Sequence, residues 1–277
     1  MIPLPSFLRL TRVWNLVILG LAQYGTAAFL FSVDKIYDLH LFLLTLSTVI
    51  IAAAGYIIND YYDVKIDLIN KPERVVIGKG ITRRYALFFH SALSVTGVAL
   101  GFLLNWKIGT INFISAFGLW LYSNALKRLP FIGNFAVATL TGISVFIVNF
   151  LYPPLQVLAG IYSLFAFFIT LVREIIKDCE DLRGDETFGC KTLPIVWGIR
   201  RTKGFTYFLI VLFTLLVFTT HRWITPLPMI FFSGFLFLPM LVVLLGLIRA
   251  DKRKDFYRLS QFCKIIMLAG IMSMAFL

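Results

Sequence analysis

The sequence predicts an all-α, polytopic membrane protein, and three observations support this fold class. Hydrophobic residues make up 59% of the 277 residues and charged residues only 14%, whereas soluble domains carry roughly 25% charged residues. The mean hydropathy is +0.87. The apolar residues form long continuous stretches without the ten-residue alternation of membrane strands, which favours helices. This composition argues against a soluble enzyme, a disordered chain and a secreted disulfide scaffold.

Nine apolar stretches are long enough to cross a bilayer, for which a helix needs about 17 to 25 residues. Their spacing leaves little room for a soluble domain, so we expect residues 1–277 to form a single transmembrane domain. The predicted spans are 13–31, 40–58, 85–104, 108–124, 132–150, 155–176, 205–221, 227–248 and 260–277.

The basic residues predict the orientation of these spans. The chain has 26 Lys and Arg against 14 Asp and Glu, a net charge of +12. If the N-terminus is cytoplasmic, 22 of the basic residues fall on the cytoplasmic side, and the outer segments hold only Lys35, Lys107 and Arg222. The positive-inside rule therefore predicts a cell-membrane protein with its N-terminus in the cytoplasm and its C-terminus outside. No nucleic-acid-binding motif accompanies the charge, so we expect no nucleic-acid partner.

The carboxylates are concentrated in two short segments that share the pattern D-x-x-D-x-x-x-D. Each segment follows the cytoplasmic end of an even-numbered span, so both lie on the same side of the membrane. Residues at i, i+3 and i+7 share one face of a helix, so each segment presents three carboxylates together. The two triplets are Asp60, Asp63 and Asp67, and Asp178, Asp181 and Asp185.

Three like charges on one helix face repel one another unless cations lie between them. Clustered oxygen ligands suit Mg²⁺, which takes one or two carboxylates and completes its shell with water and substrate phosphate. Two solvated faces with ordinary salt bridges are the alternative, but two triplets of equal spacing on one side of the membrane disfavour it. A substrate with a diphosphate head and a long apolar tail fits two such clusters beside a hydrophobic interior.

Several motifs resemble the UbiA superfamily of intramembrane prenyltransferases. The first is N-D-x-x-D-x-x-x-D from Asn59 to Asp67, followed by N-K-P-E-R at 70–74. The second is Y-S-x-x-L-K at 122–127, and the third is the acidic segment 178–185 with K-T-L-P at 191–194. Arg12 and Asn15 resemble a polar pair at the start of the family's first helix. Val75 departs from the pattern, because many members have Pro there.

The resemblance implies nine helices around a central cavity, capped by acidic loops at about 59–84 and 177–204. It implies Mg²⁺-dependent transfer of a prenyl group from a polyprenyl diphosphate, with two ions expected. Asn59, Asp60, Asp63 and Asp67 would hold one ion, and Asp178, Asp181 and Asp185 the other. Arg74, Lys127 and Lys191 would bind the diphosphate, Tyr122 and Ser123 would line the reaction centre, and Arg12 and Asn15 would bind diphosphate or acceptor.

The acceptor is left open between two classes. The segments 63–70 and 173–178 most resemble members that transfer geranylgeranyl to geranylgeranylglyceryl phosphate, a step of ether-lipid synthesis. Members that prenylate aromatic acceptors such as 4-hydroxybenzoate or homogentisate share much of the pattern. A transporter is the alternative from another class, but its ionisable residues are expected near the bilayer midplane, whereas the acids here lie at the membrane edge. The sequence does not indicate the oligomeric state.

Overall fold

The described residues of the computed structural model, 4–221 and 237–276, are almost entirely helical. Within this part of the chain the only β-type pairing is an isolated bridge between Ile77 and Ile81. The helices are α1 (Leu4–Leu10), α2 (Val13–Leu30), α3 (Leu39–Asn70), α4 (Arg83–Leu104), α5 (Trp106–Asn124), α6 (Ile132–Phe146), α7 (Val148–Leu151), α8 (Val157–Thr187), α9 (Leu193–His221), α10 (Leu238–Arg249) and α11 (Arg253–Ser273).

The predicted spans agree in part with these helices. Six helical segments, which begin at residues 13, 39, 83, 132, 157 and 253, are long and apolar enough to cross a membrane by length and composition. The span 108–124 lies within α5, and 205–221 lies within α9. Helix α9 begins at Leu193, inside the segment 177–204 that is expected to be a loop. The span 227–248 lies outside the described residues except for its end, which forms α10. The all-α class is therefore confirmed, while the number of nine spans stays a prediction.

Helices α3 and α8 are much longer than a bilayer crossing requires. They contain 32 and 31 residues, which correspond to about 48 and 46 Å of helix, while about 20 residues suffice to span the hydrocarbon. Both acidic segments lie on the C-terminal extensions of these helices, where the sequence analysis expects loops. The helices continue because neither segment contains a proline, and the only glycine, Gly184, lies near the end of α8.

The two long helices end at clear local signals. Helix α3 ends at Asn70, and Pro72 follows two residues later, where its missing N–H and its ring disfavour further helix. Helix α8 ends at Thr187, and Gly189 then adopts a φ of +69°, the left-handed conformation that commonly terminates helices. The segments that follow, 71–82 and 188–192, connect α3 to α4 and α8 to α9.

The helices form two groups. Helix α3 packs against α4 and α5, and α8 packs against α6 and α11. The largest apolar core surrounds α8 and includes Phe165, Ile175, Phe213 and Phe256. Many large apolar side chains on the outer faces are exposed, as expected of helices that contact lipid.

Candidate active site at the ends of α3 and α8

The acidic ends of α3 and α8 are joined by the side chain of Asn70. Its Nδ2 donates a hydrogen bond to the Asp181 carbonyl at 2.9 Å, and its Oδ1 accepts one from the Gly184 N–H at 2.9 Å. A Cβ atom at Gly184 would lie 2.5 Å from the Asn70 side chain, so only glycine allows this approach. Arg253 of α11 also donates to the Asn70 carbonyl. Asn70 thus fixes the distance between the two acidic helices.

This contact places the two aspartate triplets opposite each other. Asp67 is within electrostatic range of Asp181, and Asp63 is within range of Asp185. Within the described residues, neither Asp67 nor Asp185 forms a salt bridge. Like charges that face each other repel, so the arrangement favours a bound cation.

The other aspartates are paired with basic or amide side chains from distant parts of the chain. Arg12 contacts Asp60 at 2.6 Å, and Lys127 forms a salt bridge with Asp63. Lys71 lies 2.7 Å from Asp181 and 3.0 Å from Glu180. Asn134 of α6 donates to Asp178 at 2.8 Å.

Arg12 occupies an unusual backbone conformation at this site. It precedes α2 with φ +52° and ψ +54°, the left-handed region, which is uncommon for residues other than glycine. Its guanidinium lies 4.9 Å from the centre of the Tyr56 ring, in addition to the contact with Asp60. These contacts offset the local strain and hold the charged group at the entrance of the cavity described below.

Lys127 lies in a 3₁₀ turn (Leu126–Arg128) between α5 and α6. Its side chain is 9% exposed. Burial lowers the pKa of Lys127, and the neighbouring Asp63 carboxylate opposes that shift. A buried base beside a carboxylate can exchange that carboxylate for the anion of a substrate.

A cavity of about 280 Å³ extends from this acidic end into the helical bundle. Its polar end includes Arg12, Asn15, Asn59 and Tyr122. Its deeper walls are mostly apolar and include Ile18, Leu19, Leu140, Ile169, Phe213, Ile266 and Met267. The shape provides a polar head site and an apolar tail site, which is the division that the sequence predicts for an amphiphilic substrate.

Only part of the predicted site lines the cavity, namely Arg12, Asn15, Asn59 and Tyr122. The six aspartates and Lys127 are outside the lining, at the adjoining helix ends and turn. Three further residues are also outside it. Ser123 is buried and donates to the Leu119 carbonyl at 2.8 Å, a bond within α5. The Arg74 side chain is 52% exposed, beside Glu73 and Tyr257. Lys191 is exposed, and its backbone N–H donates to the Arg128 carbonyl. The roles of all the predicted site residues stay predictions.

Several polar residues at the site were absent from the predicted set. Glu174, Lys177 and Lys264 line the cavity, while Asn70 and Asn134 organise the acidic ends. Arg173 also lines the cavity, and Lys71 pairs with Asp181; the sequence offers these two only as possible phosphate-binding bases. One sequence signal was available, because Lys264 is a charged residue inside a predicted span and such residues usually have a function. The partners of Asn70 and Lys71 lie about 110 residues away, a distance that no local pattern reveals.

The oxygen ligands at this site are of the kind that fits Mg²⁺, although the side chains are not arranged around an ion. In the described part of the chain, no three His, Cys, Asp or Glu side chains form a ready metal-binding group. Oxygen ligands of the kind that Mg²⁺ prefers are nevertheless concentrated here. Asn59 Oδ1 is buried beside the cavity and accepts no hydrogen bond from any described residue, and Asp67 and Asp185 form no salt bridge within the described part of the chain.

Comparisons with known proteins agree with this geometry. Digeranylgeranylglyceryl phosphate synthase of Saccharolobus solfataricus is 35% identical over 98% of this chain and 95% of its own length. The protein of the same name from Thermococcus gammatolerans is 39% identical over 72% of this chain and 71% of its own.

Solved structures show the same fold. A structure of a digeranylgeranylglyceryl phosphate synthase superposes with a TM-score of 0.75 at 28% identity and covers both chains fully. A UbiA homologue from Archaeoglobus fulgidus, bound to GPP and Mg²⁺, superposes with a TM-score of 0.68 at 16% identity over 98% of this chain and 99% of its own. The similarity to the Archaeoglobus fulgidus structure supports the fold alone.

The family match covers most of the chain. The model of the UbiA prenyltransferase family matches residues 16–266, a range that contains both aspartate triplets, Lys127 and most of the cavity. This match argues against the transporter alternative. The cavity, the facing aspartates and the matched sequence together show that this chain belongs to the UbiA prenyltransferase family.

Proposed function

We propose that this protein transfers a geranylgeranyl group from geranylgeranyl diphosphate to the glycerol hydroxyl of geranylgeranylglyceryl phosphate. The observation that carries this proposal is a cavity with basic and amide side chains at one end, next to the aspartate-bearing ends of α3 and α8, and apolar side chains along the rest. The relatives named digeranylgeranylglyceryl phosphate synthase support the choice of acceptor, and the one from Saccharolobus solfataricus matches 98% of this chain.

The acidic end would hold the diphosphate of the donor. Asn59, Asp60, Asp63 and Asp67 would hold one Mg²⁺, and Asp178, Asp181 and Asp185 a second. Bound there, Mg²⁺ would neutralise charge that develops on the leaving diphosphate. Lys127 would move from Asp63 to a diphosphate oxygen, and this exchange keeps a buried cation next to an anion throughout.

The reaction exchanges one carbon–oxygen bond for another. The bond between the allylic carbon and the diphosphate breaks, an ether bond to the glycerol oxygen forms, and the hydroxyl proton and the diphosphate leave. Tyr56 and Tyr122 line the cavity near its polar end, where aromatic faces stabilise an allylic cation. The apolar walls limit the access of water that would otherwise trap this cation.

We also propose that residues 1–277 form one membrane domain with nine spans, a cytoplasmic N-terminus and an external C-terminus. The distribution of basic residues supports this orientation. In this orientation, the diphosphate end of the cavity opens towards the cytoplasm.

An acceptor screen tests the proposed function. Purified protein in detergent is incubated with labelled geranylgeranyl diphosphate, Mg²⁺ and, in separate reactions, geranylgeranylglyceryl phosphate, 4-hydroxybenzoate or homogentisate. We expect a labelled diether lipid with the first acceptor. Product with an aromatic acceptor only would reject the ether-lipid proposal and leave prenyl transfer itself intact.

A further inference from the structure

Four basic side chains and one carboxylate line the cavity in the described part of the protein. The basic residues are Arg12, Arg173, Lys177 and Lys264, and the carboxylate is Glu174. Glu174 forms a salt bridge with Arg173 and lies 3.3 Å from Lys177. Arg12 is paired with Asp60. One carboxylate thus serves two cations, and a positive surplus is left at the cavity wall.

Lys264 adds to this surplus. It projects from α11, a predicted membrane span, and within the described residues it makes no hydrogen bond or salt bridge. It is within electrostatic range of Arg173, Arg12 and Lys177, all of the same sign. Arg173 adds a second unsatisfied donor, because its buried Nε has no hydrogen-bond partner among the described residues. Unpaired buried charge is costly unless an anion compensates it.

This basic cluster differs in its surroundings from the proposed diphosphate site. The aspartate triplets face each other at the helix ends, where a diphosphate would bind together with metal ions. Arg173 precedes Asp178 by five residues, so it lies about 7.5 Å further into the bundle along α8. Arg173 has one carboxylate beside it, whereas the proposed diphosphate site has several. The cluster therefore suits a phosphate that is bound directly by basic side chains.

We infer that Arg173 and Lys264, with Arg12 at the boundary between the two sites, bind the phosphate monoester of the acceptor. This inference rests on the proposed function and identifies how the acceptor is recognised. In a glycerol phosphate, four bonds separate the phosphorus from the neighbouring hydroxyl oxygen. Phosphate bound at the basic cluster places that hydroxyl towards the acidic end, where the allylic carbon of the donor lies.

Lys264→Met tests the inference without removing a hydrogen bond or salt bridge between described residues. The matched control is Arg258→Met, which removes an exposed base from the same helix, and Lys264→Arg retains the charge. Each protein is assayed in uncharged detergent, so that no lipid phosphate is present. The KM is measured for geranylgeranylglyceryl phosphate, for geranylgeranylglycerol without the phosphate, and for geranylgeranyl diphosphate.

We expect Lys264→Met to raise the KM for the phosphorylated acceptor about tenfold, because one charge-assisted contact is lost. Its KM for the donor should stay within about twofold of wild type. Its preference for the phosphorylated over the unphosphorylated acceptor should fall, and Lys264→Arg and Arg258→Met should behave like wild type. A rise in the KM for the donor instead, or no change for either substrate, would overturn the inference.

Binding of geranylgeranylglyceryl phosphate without the donor separates this inference from the proposed function. If the wild type binds this lipid tightly, Lys264→Met binds it weakly, and neither forms product, the phosphate site stands and the proposed function fails. If the wild type forms the diether and Lys264→Met forms it with unchanged KM values, the proposed function stands and the phosphate site fails.

Discussion

At the scale of single residues, half of the six aspartates at the site are compensated by basic side chains. Arg12, Lys71 and Lys127 each contact an aspartate of a triplet, and each comes from a different part of the chain. A buried carboxylate without such a partner would be strongly destabilising. Two of these bases lie beside the proposed diphosphate site, so the same side chains can stabilise the empty site and then bind the substrate.

Asp60→Ala should reduce the release of diphosphate about 100-fold or more, because it removes a proposed Mg²⁺ ligand and leaves the Arg12 guanidinium without its partner. The release of diphosphate by purified protein is the measurement. Asp251→Ala is the matched control, since Asp251 is 86% exposed and does not line the cavity. Activity near the wild-type level in Asp60→Ala would contradict the role assigned to Asp60.

Asp185→Asn should make the metal-free protein more stable, by about 1 kcal/mol, because it removes one of the facing like charges. Thermal unfolding in EDTA measures this change. Added Mg²⁺ should then raise the unfolding temperature of the wild type more than that of the variant, since the variant has lost a proposed ligand. An equal response of the two proteins to Mg²⁺ would argue against metal binding by Asp185.

At the scale of secondary-structure elements, the function depends on the positions of two helix ends. Helices α3 and α8 extend about a dozen residues beyond the length of one crossing, and these extensions carry the aspartates. Asn70 joins them through two hydrogen bonds at 2.9 Å. Because both aspartate triplets are on rigid helices and not on flexible loops, a single contact of this kind sets the separation of all six carboxylates.

Gly184→Ala should separate the two helix ends, because the added Cβ would lie 2.5 Å from the Asn70 side chain. We expect a loss of about 1 to 3 kcal/mol in the free energy of unfolding, as the buried groups that Asn70 satisfies lose their partners. Prenyl transfer should fall with it. Gly204→Ala is the control, because no atom lies within 4 Å of a Cβ at that position; it should be neutral or slightly stabilising. Equal stability of both variants would exclude the proposed contact.

At the scale of the whole molecule, composition and spacing predict much of what the structure contains. The apolar stretches predict the helical class, and the equal spacing of the aspartates predicts two carboxylate faces at one end of the molecule. The continuation of the helices through 59–70 and 177–187 is harder to predict from the sequence, because acidic segments next to spans resemble loops. The bases that pair with Asp63 and Asp181 lie 64 and 110 residues from them in the sequence. Such contacts depend on tertiary packing, which periodicity does not encode.

The orientation of the whole molecule can be tested by labelling cysteines from one side of the membrane. The native Cys179, Cys190 and Cys263 are buried, so their reaction with a membrane-impermeant maleimide should be low. Lys252→Cys and Lys107→Cys each introduce an exposed thiol, the first on the proposed cytoplasmic side and the second outside. Because basic residues are retained in the cytoplasm, Lys252→Cys should be labelled in inverted vesicles and Lys107→Cys in right-side-out vesicles. The reverse pattern would place the diphosphate end of the cavity outside the cell, away from the proposed cytoplasmic side, and would reject the orientation.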